Sequence, residues 1–269
     1  MEFLLSVSNV NFKYSENMIF EDLTFNVQKN TYNALLGPNN SGKTTLMRII
    51  TGVLQSNNSV SVNQVLLNKK NLNEYSLLLG SFFINDDINY LFEDVTSELV
   101  FSLENLCYSR KEIYKRLNYM IKCFKIESLI DKTIDELTVF EKVKVGIVSA
   151  LMHEPKLLLL DDVFEDVSYS QYIEITNMLK KYMKTSDLTI LYTTTHLDNC
   201  LKADDIFLLN EGKIALSGDV NKFLSKDNLL SRIGINISTM LDMSLKLKFY
   251  GLTDKILKNP KEMVDELWK

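Results

Sequence analysis

The stretch Gly37-Pro38-Asn39-Asn40-Ser41-Gly42-Lys43-Thr44-Thr45 sets four residues between two glycines and follows the second with lysine and threonine. That is the spacing of a phosphate-binding loop, G-x-x-x-x-G-K-[ST]. Its chemistry is electrostatic. Successive backbone N–H groups make an anion-binding concavity, and the positive end of the following helix adds to it. Gly37, Asn39, Asn40, Ser41, Gly42, Lys43, Thr44 and Thr45 are therefore expected to cradle a nucleoside triphosphate. Lys43 is expected to reach the β- and γ-phosphates, and Thr44 to place its hydroxyl on Mg²⁺.

Two further segments carry groups suited to the same chemistry. In Leu157-Leu158-Leu159-Leu160-Asp161-Asp162 four apolar residues bury a strand, and Asp161 emerges at its C-terminal end. Ligands sit at that end of open α/β sheets, so Asp161 is expected to hold Mg²⁺ directly or through water. The chain has two histidines. His153, beside Glu154-Pro155, reads as an ordinary structural residue. His196 follows the strand Leu188 to Tyr192 and is expected to contact a γ-phosphate.

These groups need a scaffold, and hydrophobic periodicity supplies its outline. Residues 1 to about 90 read as strand-rich: Phe3 to Val7 opens, Leu23-Thr24-Phe25-Asn26-Val27 alternates as a half-buried strand does, and Tyr32 to Leu36 leads into Gly37. Leu46, Ile49, Ile50 and Val53 then mark one helix face. From about 91 to 152 the spacing is helical, with Ile113, Leu117, Met120, Ile121 and Phe124 on one face and Val143, Ile147, Ala150 and Leu151 on another. From about 153 to 217 strands alternate with a helix carrying Tyr172, Ile175, Leu179 and Tyr182, and Asn210-Glu211-Gly212 turns a hairpin. Such alternation implies a mainly parallel, covered sheet. The remainder reads as helical: Met240, Met243, Leu247 and Tyr250 line one helix with Gly251 past its end. Asn259-Pro260-Lys261-Glu262 reads as the start of another, with Met263, Val264, Leu267 and Trp268 following.

The 269 residues are enough for a sizeable core, and 46% hydrophobic with 24% charged residues is ordinary for a globular fold. A net charge of −5 argues against a general nucleic-acid binder. Cys107, Cys123 and Cys200 are scattered and odd in number, which disfavours a disulfide framework or zinc site and suits reduced thiols in a cytoplasmic protein. The start Met1-Glu2-Phe3-Leu4-Leu5 does not read as a signal peptide. No apolar run approaches the roughly 18 to 20 residues a membrane span needs, so a membrane role is expected to come through a partner.

With its phosphate loop and acidic strand, the sequence resembles the ATP-binding-cassette ATPases and spans one complete nucleotide-binding domain. The resemblance implies an α/β fold: a P-loop NTPase core of that type with an antiparallel β subdomain, a helical subdomain over about 91–152, and a C-terminal helical extension. The cassette would occupy 1–217 and a dimerisation extension 218–269. ATP and Mg²⁺ are the implied ligands. By the same resemblance Tyr14, in Phe12-Lys13-Tyr14, matches the aromatic that stacks on adenine, and His196 matches the switch histidine. Leu137-Thr138-Val139-Phe140-Glu141 takes the place of the LSGGQ signature that faces a partner's ATP. Among these proteins it looks most like the energy-coupling-factor ATPases, which drive uptake of vitamins or of cobalt and nickel. The segment Asn89 to Phe101 with Glu104-Asn105-Leu106 carries that likeness, as does the tail from about Leu229 with Gly234, Leu241 and Gly251. Such ATPases pair beneath a transmembrane coupling protein and a substrate-binding membrane subunit, at the cytoplasmic face of the membrane.

Departures from the pattern are numerous. Ile84 stands in place of the Q-loop glutamine, Asp162 in place of the catalytic glutamate, Val163 in place of proline and Ser168 in place of the D-loop aspartate. Thr138 keeps a hydroxyl in the signature, but Val139 and Phe140 put side chains where close backbone approach is needed, and Phe140 is ill suited to φ > 0. Asp162 is one methylene short for a base that must reach its water, and a misplacement of about 1 Å can cost on the order of 10²-fold. The expectation is the catalytically weaker half of a heterodimer with a second ABC ATPase subunit. A scaffold or regulatory cassette with negligible hydrolysis, or a subunit of another ABC transporter, stand as alternatives. A DNA-repair or chromosome ATPase is disfavoured, because Leu137 follows Lys43 too closely to leave room for a long coiled coil.

Overall fold

The computed structural model describes residues 2–55, 59–86, 90–226, 230, 232–235, 237–257 and 260–268. The chain opens with two long antiparallel strands, β1 (Phe3–Tyr14) and β2 (Asn17–Gln28). In β2 the expected alternation holds: Leu23, Phe25 and Val27 are buried, while Thr24 and Asn26 are exposed. The next strand, β3 (Tyr32–Leu36), belongs to a second sheet and ends at the glycine loop, beyond which α1 (Lys43–Ile50) begins. Leu46, Ile49 and Ile50 form its buried face as expected. Val53 does not share it: the helix stops at Ile50, Gly52 turns the chain, and Val53 is 72% exposed.

Strands β4 (Ser59–Val62) and β5 (Val65–Leu66) complete a four-stranded antiparallel sheet in the order β2-β1-β4-β5. After α2 (Leu72–Leu77) and β6 (Leu79–Phe83) comes a run of helices, α3 (Val95–Asn105), α4 (Arg110–Phe124) and α5 (Val139–Leu151). The chain then alternates through β7 (Leu157–Asp161), α6 (Tyr169–Met183), β8 (Thr189–Thr194) and the hairpin β9 (Asp205–Asn210) with β10 (Lys213–Gly218). The second sheet runs β10-β9-β3-β8-β7-β6 and is parallel except for the β9–β10 hairpin.

The central strands are largely apolar, with Asn33 of β3 and Thr189, Thr193 and Thr194 of β8 as buried polar exceptions, because both faces of this sheet are covered. Leu35, Leu157, Leu159, Leu191, Phe207 and Leu209 point into one core, shared with α1 and the antiparallel sheet. Their neighbours Ala34, Leu36, Leu158, Leu160, Ile190, Tyr192, Ile206 and Leu208 point into the other, shared with α3 to α6. The period of two is thus present in packing although invisible in hydropathy.

The C-terminal part holds α7 (Val220–Leu224), α8 (Thr239–Phe249) and α9 (Pro260–Leu267). Gly251 follows α8 as expected, with its N–H bonded to the Lys248 carbonyl and that of Leu252 to Leu247, the paired bonds of a Schellman end. The buried face of α8 differs from the expected one. Leu241 and Ser244 are buried, while Met243 and Tyr250 are exposed. Asn259, expected to cap α9, lies outside the described residues, as do Asn89 and Leu229. Of the apolar residues of this end Met263 is buried, whereas Val264, Leu267 and Trp268 are exposed.

Candidate functional site: the phosphate-loop cleft

The order of the parallel strands decides what meets at their C-terminal ends. Strand β8 lies between β3 and β7, so the glycine loop after β3, the Asp161–Asp162 pair at the end of β7 and the segment after β8 converge on one edge. A cleft of about 400 Å³ opens there, lined by Ile19, Asn39, Asn40, Gly42, Lys43, Thr44, Thr45 and Asp162.

The loop requires its glycines. Gly42 has φ 98°, and a Cβ there would come within 2.9 Å of the Phe20 ring. A Cβ on Gly37 would lie 2.6 Å from both the Leu209 carbonyl and Ser41 Oγ. The Ser41 hydroxyl is buried with no hydrogen-bond partner among the described residues, a donor left over in a loop built for an anion. The amides of Lys43, Thr44 and Thr45 open α1, where no intrahelical acceptor exists. The Lys43 ammonium donates to the carbonyls of Gly37 (2.9 Å) and Pro38 (3.0 Å), which keeps it folded over the concavity. Burial pulls the Lys43 pKa down, and the charges of Asp162, Glu165 and Asp161 oppose that shift. These features fit a polyphosphate: an anion would take the amides, the spare hydroxyl and the ammonium together.

The acidic pair is anchored from both sides. Thr44 Oγ1 donates to Asp161 Oδ2 at 2.7 Å. Thr193 Oγ1, from β8, lies 2.8 Å from Asp161 Oδ1 and 3.1 Å from Asp162 Oδ1, and accepts from the Asp162 N–H at 2.8 Å. Burial raises the Asp161 pKa, with the neighbouring Asp162 charge adding to it and the two hydroxyl bonds opposing it. Two carboxylates and a threonine hydroxyl are hard oxygen donors, the set that suits Mg²⁺ completed by phosphate oxygens and water. Asp162 itself sits at φ 54°, a left-handed backbone that aspartate tolerates better than most residues.

Two other expected residues, Tyr14 and His196, are not among those that line the cleft. Tyr14, at the end of β1, is partly exposed and packs edge-to-face on Phe12 with centroids 4.9 Å apart; it does not line the cleft, where Ile19 does. His196 does not line it either: its Nε2 lies 3.5 Å from Glu165 Oε2, and its side chain is 44% exposed. In place of the expected glutamine, Ile84 packs against the helical-side core, and two residues on Asp86 pairs with Arg48 of α1 at 2.6 Å.

The segment Leu137 to Glu141 forms the entry to α5. Thr138 is its N-cap in a reciprocal capping box: Thr138 Oγ1 accepts from the Glu141 N–H (3.3 Å), the Thr138 N–H donates to Glu141 Oε2 (2.8 Å), and Thr138 Oγ1 also donates to that oxygen (2.9 Å). The hydroxyl expected to be offered outward is therefore engaged within the helix. Lys132 holds the other Glu141 oxygen at 3.2 Å. Val139 and Phe140 occupy the first helical turn, and neither has positive φ. The expected backbone conflict at Phe140 is thus absent; its side chain packs partly on the core with Lys144 over the ring, and Val139 projects outward. Leu137 is buried. Ser168, in place of the aspartate, caps α6 through Gln171.

Sequence reading missed Thr193, Glu165 and Asp198. The run Thr193-Thr194-Thr195 is polar where a buried strand should be apolar, and that was the available signal. Thr193 and Thr194 are fully buried, and the Thr194 carbonyl accepts from the Gly37 N–H at 3.2 Å. Asp198 binds the backbone N–H and hydroxyl of Ser238, the N-cap of α8.

The sequence model of the family described as ABC transporter matches residues 20–165. The energy-coupling factor transporter ATP-binding protein EcfA of Onion yellows phytoplasma is 29% identical over 99% of this chain and 98% of its own length. EcfA1 of Lactobacillus acidophilus is 30% identical over 91% of this chain and 88% of its own. Among solved structures, cbiO1 from Clostridium perfringens, part of the ABC transporter complex cbiONQ, superimposes with a TM-score of 0.79 over 93% of this chain and all of its own, at 24% identity. An ATP-binding cassette of an ABC transporter in its ADP conformation gives 0.76 over 88% of this chain and all of its own, at 22% identity. The chain therefore belongs to the ABC transporter family and carries that family's ATPase domain.

Proposed function

We propose that this chain is the ATP-binding subunit of an energy-coupling-factor-type importer, coupling ATP binding and hydrolysis to uptake of a vitamin or a transition-metal ion, and that it is the catalytically weaker half of a heterodimer. The observation that carries the reading is the length of the similarity: 99% of the chain aligns with an energy-coupling factor ATP-binding protein, tail included. In this reading residues 1–217 form the cassette, with its helical subdomain over about 91–152, and 218–269 form a dimerisation extension. Gly37 to Thr45 hold the phosphates, Thr44 and Asp161 hold Mg²⁺, Tyr14 stacks on adenine and His196 answers the γ-phosphate. Mg²⁺ supplies charge neutralisation between the phosphates; the protein's own part is to position. Lys43 exchanges its two carbonyl partners for phosphate oxygens. Asp162 is the base, short of glutamate's reach and held at 3.1 Å from Thr193. Leu137 to Glu141 face the partner's ATP, with Thr138 already spent on its own helix.

The partners are a second ABC ATPase subunit, a transmembrane coupling protein and a substrate-binding membrane subunit. No helix among the described residues is long and apolar enough to cross a membrane, and the chain is placed peripherally at the cytoplasmic face through those partners. Co-purification from the native cell is the test: a second, more intact cassette should accompany this chain. An active homodimer without it would refute the asymmetry. The tied-up Asp162 and Thr138 also favour a second reading, a scaffold cassette without meaningful turnover. Single-turnover hydrolysis in the complex, with the partner's own catalytic carboxylate disabled, separates the two: phosphate release supports the weak ATPase, and none supports the scaffold.

A further inference from the structure

Glu165 lies between Asp162 and α6, and sequence reading gave this residue no role. Its side chain is 23% exposed, and its hydrogen bonds converge on two residues at the C-terminal end of β8, Thr194 and Thr195. Oε1 accepts from Thr194 Oγ1 at 3.0 Å and from the Thr195 N–H at 2.9 Å; Oε2 accepts from Thr195 Oγ1 at 2.9 Å. His196 Nε2 stands 3.5 Å from the same Oε2. The carboxylate cannot drift, because Val163 and Phe164 beside it are buried and the Phe164 ring is wedged edge-on between Tyr172 and Tyr192.

The Thr194–Thr195 pair it holds is wired to the nucleotide cleft. The Thr194 carbonyl carries the Gly37 N–H, and Thr193 just before it carries both aspartates. Glu165 also adds its charge to those acting on Lys43. The 3.5 Å contact is too long for a good hydrogen bond, but it aims Nε2 at Glu165, and a ring edge aimed there must turn to meet an acceptor in the cleft.

We propose that Glu165 is a positioning residue that clamps Thr194 and Thr195 and parks the His196 imidazole on its carboxylate, so that a terminal phosphate above Lys43 must compete with Glu165 for that ring. The proposal rests on the reading of the Lys43 cleft as the ATP site. It predicts a selective effect. Relieving the competition favours ATP, whose terminal phosphate is the competitor, and leaves ADP nearly untouched. A partly exposed pair of this kind sets the scale at about fivefold in affinity.

Calorimetric titration of the full chain with Mg-ATP and with Mg-ADP tests it, using Glu165→Gln, Glu165→Ala, His196→Ala and the double variant His196→Ala/Glu165→Gln. Glu165→Gln keeps the side chain's size and an acceptor oxygen, so it reports even if Glu165→Ala fails to fold. Tighter ATP binding by about fivefold in Glu165→Gln, with ADP changed less than about twofold and the gain abolished in the double variant, supports the clamp. An equal gain in the His196→Ala background overturns it, because bare charge repulsion would then suffice. An unchanged ATP-to-ADP ratio accompanied only by lower thermal stability also overturns it, as Glu165 would then be merely structural. Lys43→Ala serves as the separate control: if it still binds both nucleotides normally, the site assignment itself fails, whereas normal ADP binding with an unmoved ratio in Glu165→Gln defeats only the clamp.

Discussion

Thr193→Val keeps a β-branched strand residue of the same shape and deletes a single hydroxyl. That hydroxyl donates one proton to the Asp161–Asp162 pair and accepts the Asp162 N–H. The substitution thus removes a hydrogen bond to a carboxylate, worth about 1.5–3 kcal/mol, and orphans a part-buried amide at about 1–3 kcal/mol. Valine returns some of this because a buried hydroxyl no longer needs desolvation, so the net loss is set at about 2–4 kcal/mol. Urea denaturation of the nucleotide-free chain measures it as a shift in midpoint at unchanged slope. The functional consequence is separable. Thr193 opposes the burial that raises the Asp161 pKa, so losing it disfavours the ionised form that a cation needs. Supporting groups of this kind typically govern metal affinity by about 10- to 100-fold. The Mg²⁺ concentration needed for tight ATP binding should rise accordingly, and Thr193→Ser, which restores the hydroxyl, should recover most of both effects. A Thr193→Val protein within about 0.5 kcal/mol of wild type, with unchanged Mg²⁺ dependence, would refute the assignment of Thr193 as the bracket of the acidic pair.

Two further outcomes follow from the same structure. Asp161→Asn should stabilise the nucleotide-free chain by about 0.5–2 kcal/mol while weakening Mg-ATP binding, since it removes a buried carboxylate beside Asp162. The raised pKa of Asp161 means its contribution is present below the ordinary carboxylate range and lost as pH rises through the raised value; the stability of Asp161→Asn, followed by thermal denaturation, should therefore fall less across that window, and a parallel profile would contradict it. Gly146→Ala would put a Cβ 2.3 Å from the Phe82 ring. Helix propensity gains about 1 kcal/mol and overpacking costs about 1–3 kcal/mol or more, so a net loss is expected, and Phe82→Leu should offset part of it in the double variant. Purely additive losses in denaturation would show that the contact is not the cause.

Local chemistry was legible in the sequence. The glycine loop and the acidic strand are short, contiguous patterns, and the geometry they require, such as φ 98° at Gly42, is demanded within a few residues. The alternation of β2 and the helical face of α6 were equally readable, because one side of each meets a core. Where both sides are covered, as in β7, hydropathy loses the period, and only the packing shows that Leu157 and Leu158 belong to different cores. Periodicity also misplaced the buried face of α8, where Ser244 is buried and accepts from the Leu257 N–H while Met243 points outward. Composition cannot foresee that, since burial depends on which neighbour arrives. The same holds for the backbone of Val139 and Phe140: this segment enters a regular helix, because a capping box at Thr138 suffices to start one. Local patterns in the chain specify a phosphate loop and an acidic strand. That β8 lies between them, bringing Thr193 within hydrogen-bond reach of both aspartates and His196 within 3.5 Å of Glu165, follows from strand order, a long-range property of how the sheet assembles that no local pattern encodes.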